Sequence, residues 1–124
     1  NTATQLIQIL EQRLDNVVYR AGFATSRRGA RQLVSHGHFL LNDRRVDIPS
    51  IRVNAGDVIE VRPKSTKSGY FSTINDIYAN TSQAPLSWLK GDVKKLKIEV
   101  TGAPKREEAE PDINEQLIVE YYSR

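Results

Sequence analysis

The sequence has 124 residues, enough for one ordinary domain and a small additional segment but not for two large domains. Its 39% hydrophobic and 27% charged residues are typical of a chain that buries a core, and no apolar run is long enough to span a bilayer. With no cysteine in the sequence, disulfides, thiolate metal sites and cysteine nucleophiles are all excluded.

Positive charge is concentrated in the first half of the chain. The net charge is +3, yet residues 13–67 contain eleven Lys or Arg against five Asp or Glu, whereas residues 68–124 contain seven against nine. A segment that carries more than the whole net positive charge is suited to bind a polyanion, because neutralised phosphates release counterions. The first half is therefore the expected binding region.

Helical segments are predicted first. Apolar residues recur at spacings of three and four, which predicts one helix, or two in tandem, over residues 4–21. Thr25 or Ser26 is a suitable N-cap for a further helix of about ten residues, and Gly37 suits the left-handed position where that helix would end.

Three strands are predicted next. Residues 39–41 and 45–48 are rich in aliphatic side chains and flank the turn-forming pair Asn42-Asp43, a pattern typical of a hairpin. A third strand is predicted over residues 57–62, after a turn that contains Gly56. The order of this first part is thus α-α-β-β-β.

The polar segment 64–69 is the predicted boundary. We divide the chain into residues 1–66, a helix-helix-hairpin module with a leading helix, and residues 67–124, a mixed segment that ends in a helix. The signals in the second segment are helical spacing from Tyr70 to Tyr78, a compact apolar cluster of Leu86, Trp88 and Leu89, alternation from Leu96 to Val100, and a capping box of Asp112 and Glu115 before a final helix to about Tyr122. The predicted fold class is α+β.

The sharpest functional signal is a group of arginines on the helix before Gly37. At 100° per residue, Arg27, Arg28 and Arg31 occupy an arc beside the apolar stripe of that helix. Solvated helix faces usually mix signs, yet residues 20–32 contain four arginines and no carboxylate. Forked guanidinium donors match phosphate oxygens, so this face is predicted to bind a polyanion. Further arginines of the hairpin region add to the same sign: Arg44, Arg45 and Arg52.

The sequence offers little for other chemistry. His36 and His38 would point to one side of an extended chain, but no third ligand of suitable spacing accompanies them, so no metal site is predicted. There is no Gly-rich phosphate loop or nucleophile elbow. We therefore predict no enzyme activity, no cofactor and no small-molecule substrate.

Several short segments form a recognisable set: residues 13–20 (RLDNVVYR), Ser26-Arg27-Arg28, residues 30–34 (ARQLV), His36-Gly37-His38, Ile48-Pro49-Ser50, Gly56-Asp57 and the carboxyl-terminal residues 111–123 (PDINEQLIVEYYS). These segments resemble the bacterial-type family of small-ribosomal-subunit protein four, including its RNA-binding module. Two distant blocks in the same order make the resemblance stronger than the module alone would.

The resemblance implies a two-helix and small-sheet RNA-binding module followed by a partial helical domain. It also implies direct binding of small-subunit ribosomal RNA at a junction of helices in the 5′ domain of that RNA, and a part in nucleating subunit assembly. Contact with small-subunit ribosomal protein five and a ribosome-bound location in the cytoplasm or an organelle are implied as well. Structured RNA is recognised mainly by shape, phosphates and 2′-hydroxyls, which suits arginines on a rigid helix. The residues expected to contact RNA are Arg13, Arg20, Arg27, Arg28, Arg31, His36 and His38, with Arg45 and Arg52 less directly supported.

Other readings stay open at this point. The same module could serve an RNA-modifying enzyme or a stress-related RNA binder by delivering its substrate. A protein–protein adaptor that uses the Tyr and Trp cluster is an alternative of a different class, and its binding would be insensitive to salt. The chain begins at Asn1 without methionine or an apolar leader, so we expect no secretory signal and a start inside a longer gene product.

Overall fold

The computed structural model describes residues 2–74, 86–92 and 94–104. Within these ranges, helices pack against a five-stranded antiparallel sheet, which confirms the predicted α+β class. The helices are α1 (Thr2–Glu11), α2 (Leu14–Arg20), α3 (Arg27–Ser35) and the short α4 (Gly69–Ser72), with a 3-10 turn at Ser65–Lys67. The strands are β1 (Phe39–Leu41), β2 (Arg44–Val46), β3 (Val58–Val61), β4 (Leu89–Asp92) and β5 (Lys97–Val100).

The amino-terminal helical stretch is two helices in tandem. Arg13 separates them in an extended conformation, with φ −64° and ψ 140°. The break exists because the backbone there pairs with another segment: the Leu14 amide donates to the Ile51 carbonyl at 2.8 Å, and the Val53 amide donates to the Gln12 carbonyl at 2.8 Å. This pairing ties the α1–α2 junction to the chain that leads into β3.

Helix α3 begins and ends as its sequence predicts. The Ser26 side chain accepts a hydrogen bond from the Gly29 amide at 3.0 Å, which satisfies one of the free amides of the first turn. At the other end Gly37 adopts a φ of +75°, a conformation that L side chains rarely take. Ala30 and Val34 are buried, so the arginines lie on the other sides of the helix.

The hairpin turn is left-handed at both central residues. Asn42 has a φ of 51° and Asp43 a φ of 68°, the combination that defines a type I′ turn. The Asn42 side chain stabilises this geometry by donating to the Asp57 carboxylate at 3.0 Å and accepting from the Val58 amide at 2.9 Å. The turn is thereby attached to the start of β3.

The sheet has the order β2-β1-β3-β5-β4, with every neighbouring pair antiparallel. The predicted strand near Leu96–Val100 is confirmed as β5, which pairs directly with β3. Strands from both sides of the predicted boundary at residue 66 therefore share one sheet.

One core joins the helices to the inner face of the sheet. Its largest fully buried side chains come from α2, α3, three strands and the segments that connect or follow these elements: Leu14, Val17, Val18, Phe23, Val34, Phe39, Val53, Ile59, Ile74 and Ile98. Replacing one such side chain by alanine typically costs about 2–5 kcal/mol. The core therefore mounts α3 rigidly on the sheet.

The segment after residue 66 also contributes to this core. Phe71, Leu86 and Trp88 are buried in it, and the Tyr70 hydroxyl donates to the Phe23 carbonyl at 2.5 Å. The division into domains at residue 66 stays a prediction. The predicted final helix and residues 75–78 of the predicted helical stretch from Tyr70 to Tyr78 lie outside the described residues.

Candidate nucleic-acid interface

Helix α3 presents an arginine face, defined as Arg27, Arg28 and Arg31. Arg28 and Arg31 are exposed, and neither side chain forms an ion pair or hydrogen bond with the part of the chain that the structure describes. A guanidinium group presents five N–H donors in a fixed fork and no acceptor. They are therefore placed to bind an external anion.

Arg27 is held more firmly than its two neighbours. Its Nη1 donates to the side-chain oxygen of Asn16, and its Cζ lies 5.1 Å from the centroid of the Tyr19 ring. Both partners belong to α2, and both are neutral. These contacts fix Arg27 along α2 and do not themselves offset its charge.

The carboxyl-terminal end of α3 meets the hairpin at Gly37. A Cβ at this position would lie 2.9 Å from the Nη2 of Arg45, so the guanidinium occupies the space that the glycine leaves. Arg62, which follows β3, donates from Nη1 to the Gly37 carbonyl at 2.9 Å. Cations stabilise the negative end of a helix dipole, and here two guanidiniums converge on it, one from β2 and one from the residue after β3.

Both predicted histidines belong to this helix-end cluster, which we define as His36, His38, Arg45 and Arg62. The centroids of the two imidazole rings are 6.2 Å apart, and His38 Nδ1 forms a hydrogen bond of 2.9 Å with the Ser65 hydroxyl. Burial lowers the pKa of His38 below 6.5, with smaller contributions from His36 and Arg62. The exposed Arg45 and the half-buried Arg62 thus share this cluster with His38, whose ring favours its neutral form near neutral pH.

Arg13 and Arg52 lie together at the α1–α2 junction, where their backbones form an isolated antiparallel bridge. Arg13 makes two hydrogen bonds to Asp15, at 3.1 and 3.2 Å, and the Arg52 Nε donates to the Gln12 side chain at 2.9 Å. The Asp15 carboxylate offsets part of the positive charge at this second group.

Arg20 is placed differently from the other predicted residues. Its side chain is 8% exposed and lies against Glu11, which is 2% exposed, with 3.9 Å between Arg20 Nη1 and Glu11 Oε1. An ion pair at this depth is shielded from solvent and balances charge inside the protein. The structure gives Arg20 an internal acidic partner, and its role in RNA binding stays a prediction.

Sequence reasoning did not select Asn16, Glu11 or Arg62. Asn16 and Glu11 are five residues apart across a helix break, so no helical periodicity brings them together. Arg62 reaches Gly37 because β3 pairs with β1, a register that the sequence does not define. The only sequence signal for Arg62 was side-chain alternation along β3, which places it on the same side of the strand as Glu60 but does not indicate its contact with Gly37.

The outer surface of β4 and β5 differs from α3 in its charge pattern. Here five side chains line one shallow depression, and we name them the mixed-charge face: Lys90, Asp92, Lys95, Lys97 and Glu99. Lys90 stands opposite Glu99 across the strands, Asp92 stands opposite Lys97, and Lys97 Nζ lies 3.7 Å from Glu99 Oε1. Charges of both signs alternate on this face.

Among the described residues, no group of three or more His, Asp or Glu side chains is arranged to hold a metal ion. No helix in the described ranges is both long and apolar enough to cross a bilayer. Trp88, part of the aromatic cluster in the adaptor reading, is buried in the core.

Known proteins are similar to this chain both in the region of the arginine face and over nearly its whole length. Residues 12–59, which run from the α1–α2 junction into β3, match the S4 domain. The matched residues contain the arginine face and most of the helix-end cluster.

Similarity extends well beyond that domain. The chain is 52% identical over 123 residues to small ribosomal subunit protein uS4 of Roseiflexus sp., 51% over 123 residues to that of Herpetosiphon aurantiacus, and 50% over 119 residues to that of Clostridioides difficile. These matches cover 96 to 99% of this chain and 56 to 60% of the relatives. The chain is a uS4-like protein, and it spans about three fifths of the length of these relatives.

Proposed function

We propose that this chain binds small-subunit ribosomal RNA directly, as a structural component of the small ribosomal subunit that helps nucleate its assembly. The observation that carries the proposal is the arginine face on a rigidly mounted helix, continued by the helix-end cluster at Gly37. Fixed guanidiniums recognise the phosphates of folded RNA without reading a base sequence. The names of the uS4 relatives support the same assignment.

Within this proposal the RNA-contacting residues fall into three groups. Arg27, Arg28 and Arg31 provide the main phosphate contacts. The helix-end cluster, with His36, His38 and Arg45, extends them toward the hairpin, and Arg62 joins this cluster. Arg13 and Arg52 form a separate contact at the α1–α2 junction, whereas Arg20 acts mainly by balancing Glu11.

The proposal assigns no catalysis, cofactor or small-molecule substrate to the chain. It places the protein on the ribosome, in the cytoplasm or an organelle, with small-subunit ribosomal protein five as a neighbour implied by the family resemblance. Delivery of RNA to a modifying enzyme is less well supported, because similarity to uS4 runs over 99% of the chain and includes the segment after the S4 domain.

The test is equilibrium binding of the 124-residue chain to a transcript of the 5′ domain of small-subunit ribosomal RNA, measured over a series of salt concentrations. With five or six phosphates neutralised, log K should fall with log salt at a slope of roughly −4 to −5. An unrelated duplex RNA of equal length is the control for specificity. Equal affinity for both RNAs would overturn the ribosomal assignment, and binding unaffected by salt would favour the adaptor reading.

A further inference from the structure

A buried chain of polar groups leads from the interior to the arginine face. Asn16 is 3% exposed, and its amide nitrogen donates to the Glu11 carbonyl at 2.8 Å and to the Glu11 carboxylate at 3.0 Å. Its side-chain oxygen accepts from Arg27 Nη1. This series of polar side chains thus runs from Arg20 through Glu11 and Asn16 to Arg27.

These contacts determine which way the Asn16 amide faces. Both N–H donors of the amide are used by Glu11, so its only side-chain acceptor is directed at Arg27. The reverse orientation would oppose amide donors to guanidinium donors and leave the buried Glu11 oxygen without its partner, which is unfavourable. Asn16 therefore has one stable orientation, and Glu11 sets it.

In this series the Asn16 amide lies between the buried Glu11 carboxylate and Arg27. Glu11 lies beside Arg20, which balances it, while the group that contacts Arg27 is a neutral amide. A carboxylate at the position of Asn16 would form an ion pair with Arg27 and offset the charge needed for phosphate binding. Asn16 thus holds the guanidinium through a neutral acceptor.

Tyr19 restricts Arg27 from a second direction. Its half-buried ring lies 5.1 Å from the guanidinium carbon, within the range of a cation–π contact. An arginine confined in advance loses less conformational entropy when it binds a ligand than one that moves freely.

We propose that Asn16 and Tyr19 are positioning residues that hold Arg27 in its RNA-binding conformation, an inference that rests on the proposed function. The buried side chains of Arg20, Glu11 and Asn16 then contribute to the affinity for RNA as well as to the stability of the fold. The size of the effect is set by the immobilisation of one arginine, which corresponds to about a three- to tenfold change in affinity.

The experiment is a pair of double-mutant cycles on binding to the 5′-domain transcript: Asn16→Ala with Arg27→Ala, and Tyr19→Leu with Arg27→Ala. Each positioning variant should weaken binding about three- to tenfold in the unaltered chain and hardly at all once Arg27 is alanine. The salt slope of the positioning variants should stay unchanged, because no charge is removed. Asn54→Ala, an exposed asparagine away from Arg27, is the control and should have no effect in either background.

The outcomes separate this inference from the function on which it rests. Effects of equal size with and without Arg27 would mean a purely structural role and overturn the inference alone. If Asn16→Ala prevents folding, as circular dichroism would show, the Tyr19→Leu cycle decides, since it leaves the buried chain untouched. Failure of the unaltered chain to bind the transcript would overturn the proposed function, and this inference with it.

Discussion

The arginine face and the mixed-charge face carry similar numbers of cations but differ in whether carboxylates of the protein lie beside those cations. On β4 and β5, Lys90 and Lys97 stand opposite carboxylates, and the charges cancel within the protein. On α3, Arg28 and Arg31 have no ion pair with the described residues, and Arg27 is contacted by Asn16 and Tyr19. We therefore infer that the proposed binding surface is marked by uncompensated cations on a rigid element, such as Arg28 and Arg31, and not by the number of cations.

The largest expected effect is a loss of RNA affinity that occurs when cations of the arginine face are replaced but not when those of the mixed-charge face are. Replacing Arg28 and Arg31 together by alanine should weaken binding to the 5′-domain transcript by about 3 kcal/mol or more, because hydrogen bonds to charged groups contribute about 1.5–3 kcal/mol each. Alanine favours helix, and neither side chain packs in the core, so the melting temperature should hardly change. Replacing Lys90 and Lys95 by alanine is the matched control, and an equal loss of affinity there would break the comparison.

The next prediction concerns the joint between α3 and the hairpin. Gly37→Ala should lower the free energy of unfolding by about 1–2 kcal/mol, because an L side chain is strained at a φ of +75° and the new Cβ would meet Arg45. Gly69→Ala is the control, since nothing lies near its Cβ position, and its effect should stay within about 0.5 kcal/mol. Urea unfolding measures both, and indistinguishable values would show that the joint is not constrained.

His38 should make stability depend on pH. Its pKa in the folded state is lowered by burial, so the unfolded chain binds a proton more readily, and the free energy of unfolding should fall as pH drops below about 6.5. His38→Gln retains a polar partner for Ser65 but does not titrate. Urea unfolding at about pH 7.5 and about pH 5.5 should show a smaller loss for the variant than for the unaltered chain. The same loss in both chains would remove His38 from the account.

The smallest effect is expected in the hairpin turn. Asp43→Gly should stabilise the fold by about 0.5 kcal/mol, because Asn-Gly is the preferred pair in a type I′ turn and Asp43 has a φ of 68°. Asn42→Gly is the contrasting variant: it should lower stability, since it removes the two side-chain hydrogen bonds to the start of β3. Thermal unfolding compares them, and a lower melting temperature for Asp43→Gly would contradict this view of the turn.

Local signals were enough to predict most of the S4 domain. The bounds of α3 follow from Ser26 and Gly37, whose cap chemistry is readable from the sequence, and the hairpin follows from the Asn42-Asp43 turn. The arginine face followed from helical periodicity and from the lack of nearby carboxylates in the sequence. Each of these features depends on residues close together in the chain.

Long-range contacts could not be predicted in the same way. The burial of Arg20 against Glu11 depends on how α1 and α2 cross, which their sequences do not define. The contact of Arg62 with Gly37 depends on the β1–β3 register, and the sharing of one sheet by both halves depends on the pairing of β3 with β5. The sequence therefore predicts which cations are candidates for binding, whereas long-range packing determines which of them lie beside a carboxylate of the protein.

The most direct test of the central claim is the salt dependence of RNA binding for three chains: the unaltered protein, the Arg27→Ala, Arg28→Ala, Arg31→Ala variant and the Lys90→Ala, Lys95→Ala, Lys97→Ala variant. Each variant removes three positive charges, so a general electrostatic effect would alter both equally. If the arginine face binds phosphates, the slope of log K against log salt should become shallower by about 2–3 in the arginine variant and remain unchanged in the lysine variant. Equal slopes in the two variants would contradict the account.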